Sequence, residues 1–281
     1  DLSAVLSRCL TQLGVDHQVV LLAPWASQSL DQPLRVDAYS HPVFILDDDV
    51  LWDAVGHQTP AGMVPYTLRN TDGLTLYPFN QLGEDYQTPS VATLTEQRKV
   101  KLTLKKGAGD RIVGTAIDTL LGQEAYAMRQ YMRGGDQTAL IQYARTLIGQ
   151  FSSLAQFESA SIIRMEANRF QLKYQFSVAQ LEHLHLMSFA QRPATKLAQD
   201  MDRKTTLFID KPINQKVEIF MDASLGHFKA DDHTVGFEDN RFSIKVSANQ
   251  QRIRAVLHIP RQKVSAERYA DFKQWCQAVE E

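Results

Sequence analysis

The chain opens with Leu2, Val5, Leu6, Cys9, Leu10 and Leu13, the three- and four-residue spacing of one apolar helix face. Gly14, which takes the left-handed conformation at low cost, closes that helix, and Asp1 favours its start through its charge. The period then changes. Asp16 to Ala23 reads as a strand, Pro24 to Val36 as an irregular loop, and two apolar runs, His41 to Leu46 and Val50 to Val55, form a hairpin across Asp47-Asp48-Asp49. Beyond the hairpin the chain is punctuated by Pro60, Pro65, Pro78 and Pro89, with Gly62, Gly73 and Gly83 among them. That stretch reads as a linker or wrapping segment, so a domain boundary is expected between about 66 and 96.

Past the boundary the alternation is that of strands. Val100, Leu102 and Leu104 face one way and Lys99, Lys101 and Thr103 the other, and Arg111 to Leu121 pairs with this strand across Lys106-Gly107-Ala108-Gly109. Two helices come next, one with Met128, Tyr131 and Met132, the second with Leu140, Tyr143, Leu147 and Phe151 at helical spacing. Ser161 to Met165, Phe170 to Val178, Val217 to Met221, and a hairpin of Phe242 to Val246 with Ile253 to Ile259 complete the strands, with a short helix around Ala194 to Met201. Ser265 is placed to cap a last helix whose buried stripe is Phe272, Trp275, Cys276 and Val279. The expected class is α+β: a first part over 1–66, a connection over 67–96, and over 97–281 an antiparallel β-sandwich-like domain with helical insertions and a C-terminal helix.

Composition changes this picture little. With 281 residues, 44% apolar and 22% charged, the chain is an ordinary globular one, and wholesale disorder is excluded. Its 30 lysines and arginines against 32 aspartates and glutamates give −2, which supplies no electrostatic reason to expect nucleic acid or an acidic membrane surface. No apolar run is long enough to span a membrane. Two cysteines make neither a disulfide framework nor a four-cysteine zinc site. Cys9 and Cys276 both lie on apolar stripes and read as core residues. Asp47 to Asp49 reads as a solvated turn, Asp231-Asp232-His233 likewise, and His183 and His185 lack a third ligand; no metal and no cofactor is expected.

The sharpest candidate chemistry is the hairpin. His41 opens its first strand and Asp53 closes its second, and in an antiparallel ribbon those two ends lie side by side. A carboxylate on one imidazole nitrogen fixes the tautomer and leaves the other nitrogen to act as a base for a nucleophile.

The order of opening helix, strand, His strand and Trp52-Asp53 strand resembles the transglutaminase-like superfamily, whose core is shared with papain-type cysteine proteases. Pro60-Ala-Gly-Met-Val-Pro65 and Val264-Ser-Ala-Glu-Arg-Tyr-Ala-Asp-Phe272 resemble its bacterial branch, in which β-rich domains flank the core. The resemblance covers 1–66 and, more loosely, the remainder. It implies that His41 is the general base, that Asp53 orients it, and that Asp1 is the Asp of a Cys-x-Asp motif whose cysteine precedes residue 1. The chain then reads as one cut inside a domain, with no nucleophile of its own and no expected activity as it stands, and Ala54 stands where the family often has proline. The implied substrates are protein or peptide amides, exchanged or hydrolysed through a thioester, in a periplasmic or secreted protein. The implied partners are that substrate and a missing N-terminal half or second chain completing the core. A non-catalytic module binding a protein or a polysaccharide on the 97–263 region is the other reading.

Overall fold

The computed structural model describes residues 2–24, 36–54, 59–77, 81–89, 98–133, 137–184, 193–200, 202–227, 232–238 and 242–280. The chain divides into two compact units, Asp1–Leu94 and Thr95–Glu281.

The first unit carries helix α1 (Leu2–Gln12) and strands β1 (His17–Leu22), β2 (His41–Leu46), β3 (Val50–Trp52), β4 (Asp72–Tyr77) and β5 (Gln81–Gln87). They form one sheet in the order β3-β2-β1-β4-β5, every neighbouring pair antiparallel. One face holds Val20, Leu22, Val43, Ile45 and Leu51, which pack with Leu68 as the core of this unit. The segment expected to be a connection, 67–96, instead supplies β4 and β5, and the division of the chain, after Leu94, falls near the end of the range of about 66 to 96 expected for it. The prolines lie outside these two strands, and Gly73 sits within β4 because a Cβ there would come 2.7 Å from the Leu22 side chain across the ladder. Two of the glycines that punctuate the sequence as a linker, Gly73 and Gly83, thus lie within strands, Gly73 at a close approach between β4 and β1.

Helix α1 is rotated from its expected orientation. It buries Ser3 and Leu10, with Leu6 and Ser7 half-buried, while Leu2, Val5, Cys9 and Leu13 are exposed. A polar contact decides this. His17 Nδ1 donates to the Val15 carbonyl at 3.0 Å, so Nε2 of the neutral ring accepts from the Ser7 hydroxyl at 2.7 Å, and the serine turns inward. Cys9 is therefore a surface residue, not the core residue that the apolar pattern implied.

The second unit carries β6 (Arg98–Lys106), β7 (Ile112–Leu121), α2 (Gln123–Arg133), α3 (Gln137–Phe151), β8 (Gln156–Met165), β9 (Arg169–Val178), α4 (Pro193–Leu197), β10 (Leu207–Ile209), β11 (Ile213–Met221), β12 (His233–Phe237), β13 (Phe242–Asn249), β14 (Arg252–Ile259), β15 (Gln262–Val264) and α5 (Tyr269–Glu280). Eight strands form one sheet, β12-β13-β14-β11-β6-β7-β9-β8, and β10 pairs with β15 in a separate ribbon. All pairs in the large sheet are antiparallel except β6 and β11, which join its two halves; a parallel pair requires a long crossover, here the chain from β7 through β10. The sandwich expectation is corrected by this topology. No second large sheet covers the apolar face among the described residues. Helices do: α3 places Leu140, Ala144, Leu147, Ile148 and Phe151 against it, and Phe272 and Trp275 of α5 pack their rings on Phe237 and Phe242. Ser265, expected to cap, makes no side-chain cap hydrogen bond, and α5 begins four residues later at Tyr269.

Two consequences can be measured. Gly114 faces Phe176 across β7 and β9, and a Cβ there would stand 2.4 Å from the ring. Gly114→Ala is expected to cost about 1–3 kcal/mol in urea denaturation through overpacking; an unchanged midpoint would contradict the contact. Burial pushes the Cys276 thiol up to about 12, with the Glu280 charge adding to it, and burial followed by the Asp118 charge raises the Tyr143 and Tyr174 hydroxyls. The unfolded chain releases these protons first, the thiol from its ordinary 9.0. Their contribution is therefore complete below that pH and is lost as pH rises from 9.0 towards 12. Thermal unfolding midpoints from neutral pH to about 11 should hold and then fall; a flat profile would count against these burials.

Candidate functional site

The acidic residues Asp47–Asp49 form a single tight turn between β2 and β3, and Asp49 takes a left-handed φ of 58°. That turn sets the register Leu46↔Val50, Ile45↔Leu51 and Phe44↔Trp52. Alternation then places Val43, Ile45 and Leu51 on the core face, and the same face receives His41 at the start of β2 and Asp53 one step beyond β3. The two side chains meet. His41 Nε2 lies 3.1 Å from Asp53 Oδ1; the carboxyl group is fully buried and the imidazole is 19% exposed. A carboxylate only accepts, so Nε2 carries the proton and donates it, and Nδ1 is the basic nitrogen of the neutral ring.

The segment from Thr59 returns to β3 and fixes the backbone that carries Asp53. Trp52 Nε1 donates to the Thr59 carbonyl at 3.1 Å, the Thr59 amide donates to the Asp53 carbonyl at 3.3 Å, and the Gly62 amide donates to the Leu51 carbonyl at 2.8 Å. Pro60-Ala61-Gly62-Met63 is a tight turn closed by the Met63 amide on the Pro60 carbonyl at 3.0 Å, with φ 82° at Gly62, a value glycine adopts without strain. Val64 is held in turn by Arg69, whose Nε donates to its carbonyl at 3.0 Å. Sequence alone does not single out Trp52, Thr59 and Arg69 for this role. The Pro-Ala-Gly-Met pattern is the available signal, since it marks a turn whose ends return to β3.

Of the two cysteines, Cys9 is exposed on α1 and Cys276 is buried in the second unit. Residue 1, His185 and Asp231 lie outside the described residues, as do the side chains of His183 and His233. Among the described residues no group of three or more His, Cys, Asp or Glu could hold a metal ion. No helix among them is long and apolar enough to cross a membrane.

No family model, no curated protein and no solved structure matches this chain.

What the arrangement can do is limited and specific. It is an oriented, largely buried imidazole with a buried carboxylate behind it, on a two-stranded ribbon. That is the base-and-orienter part of a nucleophilic site.

Proposed function

We propose that the first unit carries the histidine and aspartate of a transglutaminase-like acyl-transfer site whose thiol is supplied from outside residues 1–281. The observation that supports this most is the His41–Asp53 hydrogen bond, formed at the two ribbon ends where the family resemblance puts its base and its orienting carboxylate. On this reading Nδ1 of His41 takes the thiol proton and the thiolate attacks the carbonyl of a protein or peptide amide. His41 then returns that proton to the departing amine, leaving a thioester. Water or a second amine attacks the thioester, with Nδ1 again removing the proton; the C–S bond breaks, and the departing thiolate takes that proton back from His41 to regenerate the thiol. Asp53 keeps the ring in the competent tautomer and stabilises the imidazolium between steps. The same resemblance implies a periplasmic or secreted protein.

The test compares residues 1–281 with the chain extended upstream of Asp1, using release of ammonia from a glutaminyl peptide in the presence of hydroxylamine. Residues 1–281 alone should be inactive. The extended chain should carry a cysteine two positions before Asp1, as the Cys-x-Asp motif requires, should form the hydroxamate, and should lose that activity on alkylation and in His41→Ala. Any other residue at that position, or activity indifferent to His41, overturns the enzyme reading.

A further inference from the structure

The overall charge of −2 is a cancellation between unlike halves. Asp1–Leu94 has 3 lysines and arginines against 11 aspartates and glutamates, a net −8. Thr95–Glu281 has 27 against 21, a net +6. The second unit alone thus carries an excess of positive charge that suits an anionic partner.

Within that unit the excess is gathered on one surface. The helices occupy one face of the eight-stranded sheet, and strand register fixes which residues share the other. Lys101 stands beside Ile117 on β7, which stands beside Lys173 on β9; on its other side Lys101 adjoins Glu218 on β11, and Glu218 adjoins Arg254 on β14. One step along the strands, Lys99 adjoins Lys216; one step the other way, Phe220 adjoins Arg252. Lys99, Lys101, Lys173 and Arg254 are exposed. The acid at the centre, Glu218, is 5% exposed and already engaged by Lys216 at 3.0 Å and by Arg252. Strand geometry separates the neighbouring charges by about 5–10 Å across and along the sheet. A flat surface of this kind attracts an extended chain of repeating anionic groups.

The groups between the charges narrow the chemistry. Thr115, Thr119, Gln171 and Gln175 alternate with the lysines, joined by Gln171 Nε2 to Thr119 Oγ1 at 3.0 Å and Gln175 Nε2 to Thr115 Oγ1 at 3.3 Å. Their remaining donors and acceptors suit hydroxyl groups. Single-stranded nucleic acid is held by aromatic rings on which bases stack. Here Phe220 is the one phenyl or indole ring on this face among the described residues, and the Arg252 guanidinium lies over it at 5.2 Å. We infer that the open face of the second unit binds an acidic polysaccharide, its carboxylates paired with Lys99, Lys101, Lys173 and Arg254 and its hydroxyls hydrogen-bonded by the threonine and glutamine side chains between them. This site is independent of His41 and Asp53.

The test is binding of polygalacturonate by residues 1–281 in low salt, beside neutral dextran, an oligothymidylate and vesicles containing phosphatidylglycerol. Polygalacturonate should bind, dextran should not, and binding should weaken as salt rises. Lys101→Gln/Lys173→Gln should weaken it roughly tenfold by removing two charge contacts. Lys196→Gln/Lys204→Gln, which removes the same charge away from the sheet, should leave it within about twofold. Circular dichroism verifies that both variants fold, and Arg254→Gln serves as a second single-site probe. Absence of polygalacturonate binding, equal loss in the off-sheet variant, or tighter binding of the oligothymidylate or the vesicles overturns the proposal.

Discussion

Asp53→Asn is expected to lower acyl transfer by the upstream-extended protein about 10³–10⁴-fold in kcat, with substrate affinity nearly unchanged. The substitution keeps the shape of the side chain but removes its charge, and the amide can present a donor to Nε2 as readily as an acceptor. The ring then populates the tautomer whose Nδ1 bears the proton and cannot take one from a thiol, and the imidazolium loses its counter-charge. His41→Ala should be as severe, and the double variant little worse than either, because the two groups act as one unit. A loss of less than about tenfold in Asp53→Asn, with the protein folded, would mean that the 3.1 Å contact is structural only.

Asp118→Ala should be the most damaging single change to the second unit, about 3–5 kcal/mol. Asp118 sits on the inward face of β7 and receives Arg98 of β6, whose Nε donates to Oδ1 at 3.0 Å and to Oδ2 at 2.9 Å while its terminal nitrogen also reaches Oδ2. Both side chains are nearly out of solvent. Burial pushes the Arg98 guanidinium down, and the charge and hydrogen bonds of Asp118 more than offset this, so it stays charged in the interior. Removing the carboxylate strands that charge beneath α3, beside the half-buried ring of Tyr143 and the buried ring of Tyr174. Arg98→Met/Asp118→Leu removes both charges and should recover most of the loss. Urea denaturation with hydrogen exchange over β6 and β7 measures the difference; a single-variant loss below about 1 kcal/mol would show that the pair lies in a wetter place than this burial implies.

The hairpin that holds His41 and Asp53 was legible because two period-two runs and a short acidic turn leave one register that buries Val43, Ile45 and Leu51 together. Strands β6, β7, β9, β13 and β14 of the second unit were legible for the same reason, Phe170 to Val178 most plainly, whereas the shorter β10, β12 and β15 carry too few alternating positions to stand out. Strands β4 and β5 were hidden because Gly73 and the flanking prolines read as breaks, and the need for a glycine beside Leu22 exists only once the strands are paired. The orientation of α1 was hidden because a Ser7–His17 hydrogen bond, not apolar burial, turns that helix. Sheet and helix cover an apolar face equally well, so alternation along strands gave no sign that α3 and α5 take the place of a second sheet. The basic face was hidden twice, by an acidic first unit that cancels its charge and by the distance in sequence between Lys101, Lys173 and Arg254.

The pairing of imidazole and carboxylate is tested most directly by the nitrogen shifts of His41 in a long-range proton–nitrogen NMR spectrum of residues 1–281, recorded with the ring neutral. A ring protonated at Nε2, with Nδ1 unprotonated and with this preference lost in Asp53→Ala, is the expected result. A ring protonated at Nδ1, or one whose tautomer is the same with and without the Asp53 carboxylate, would contradict it.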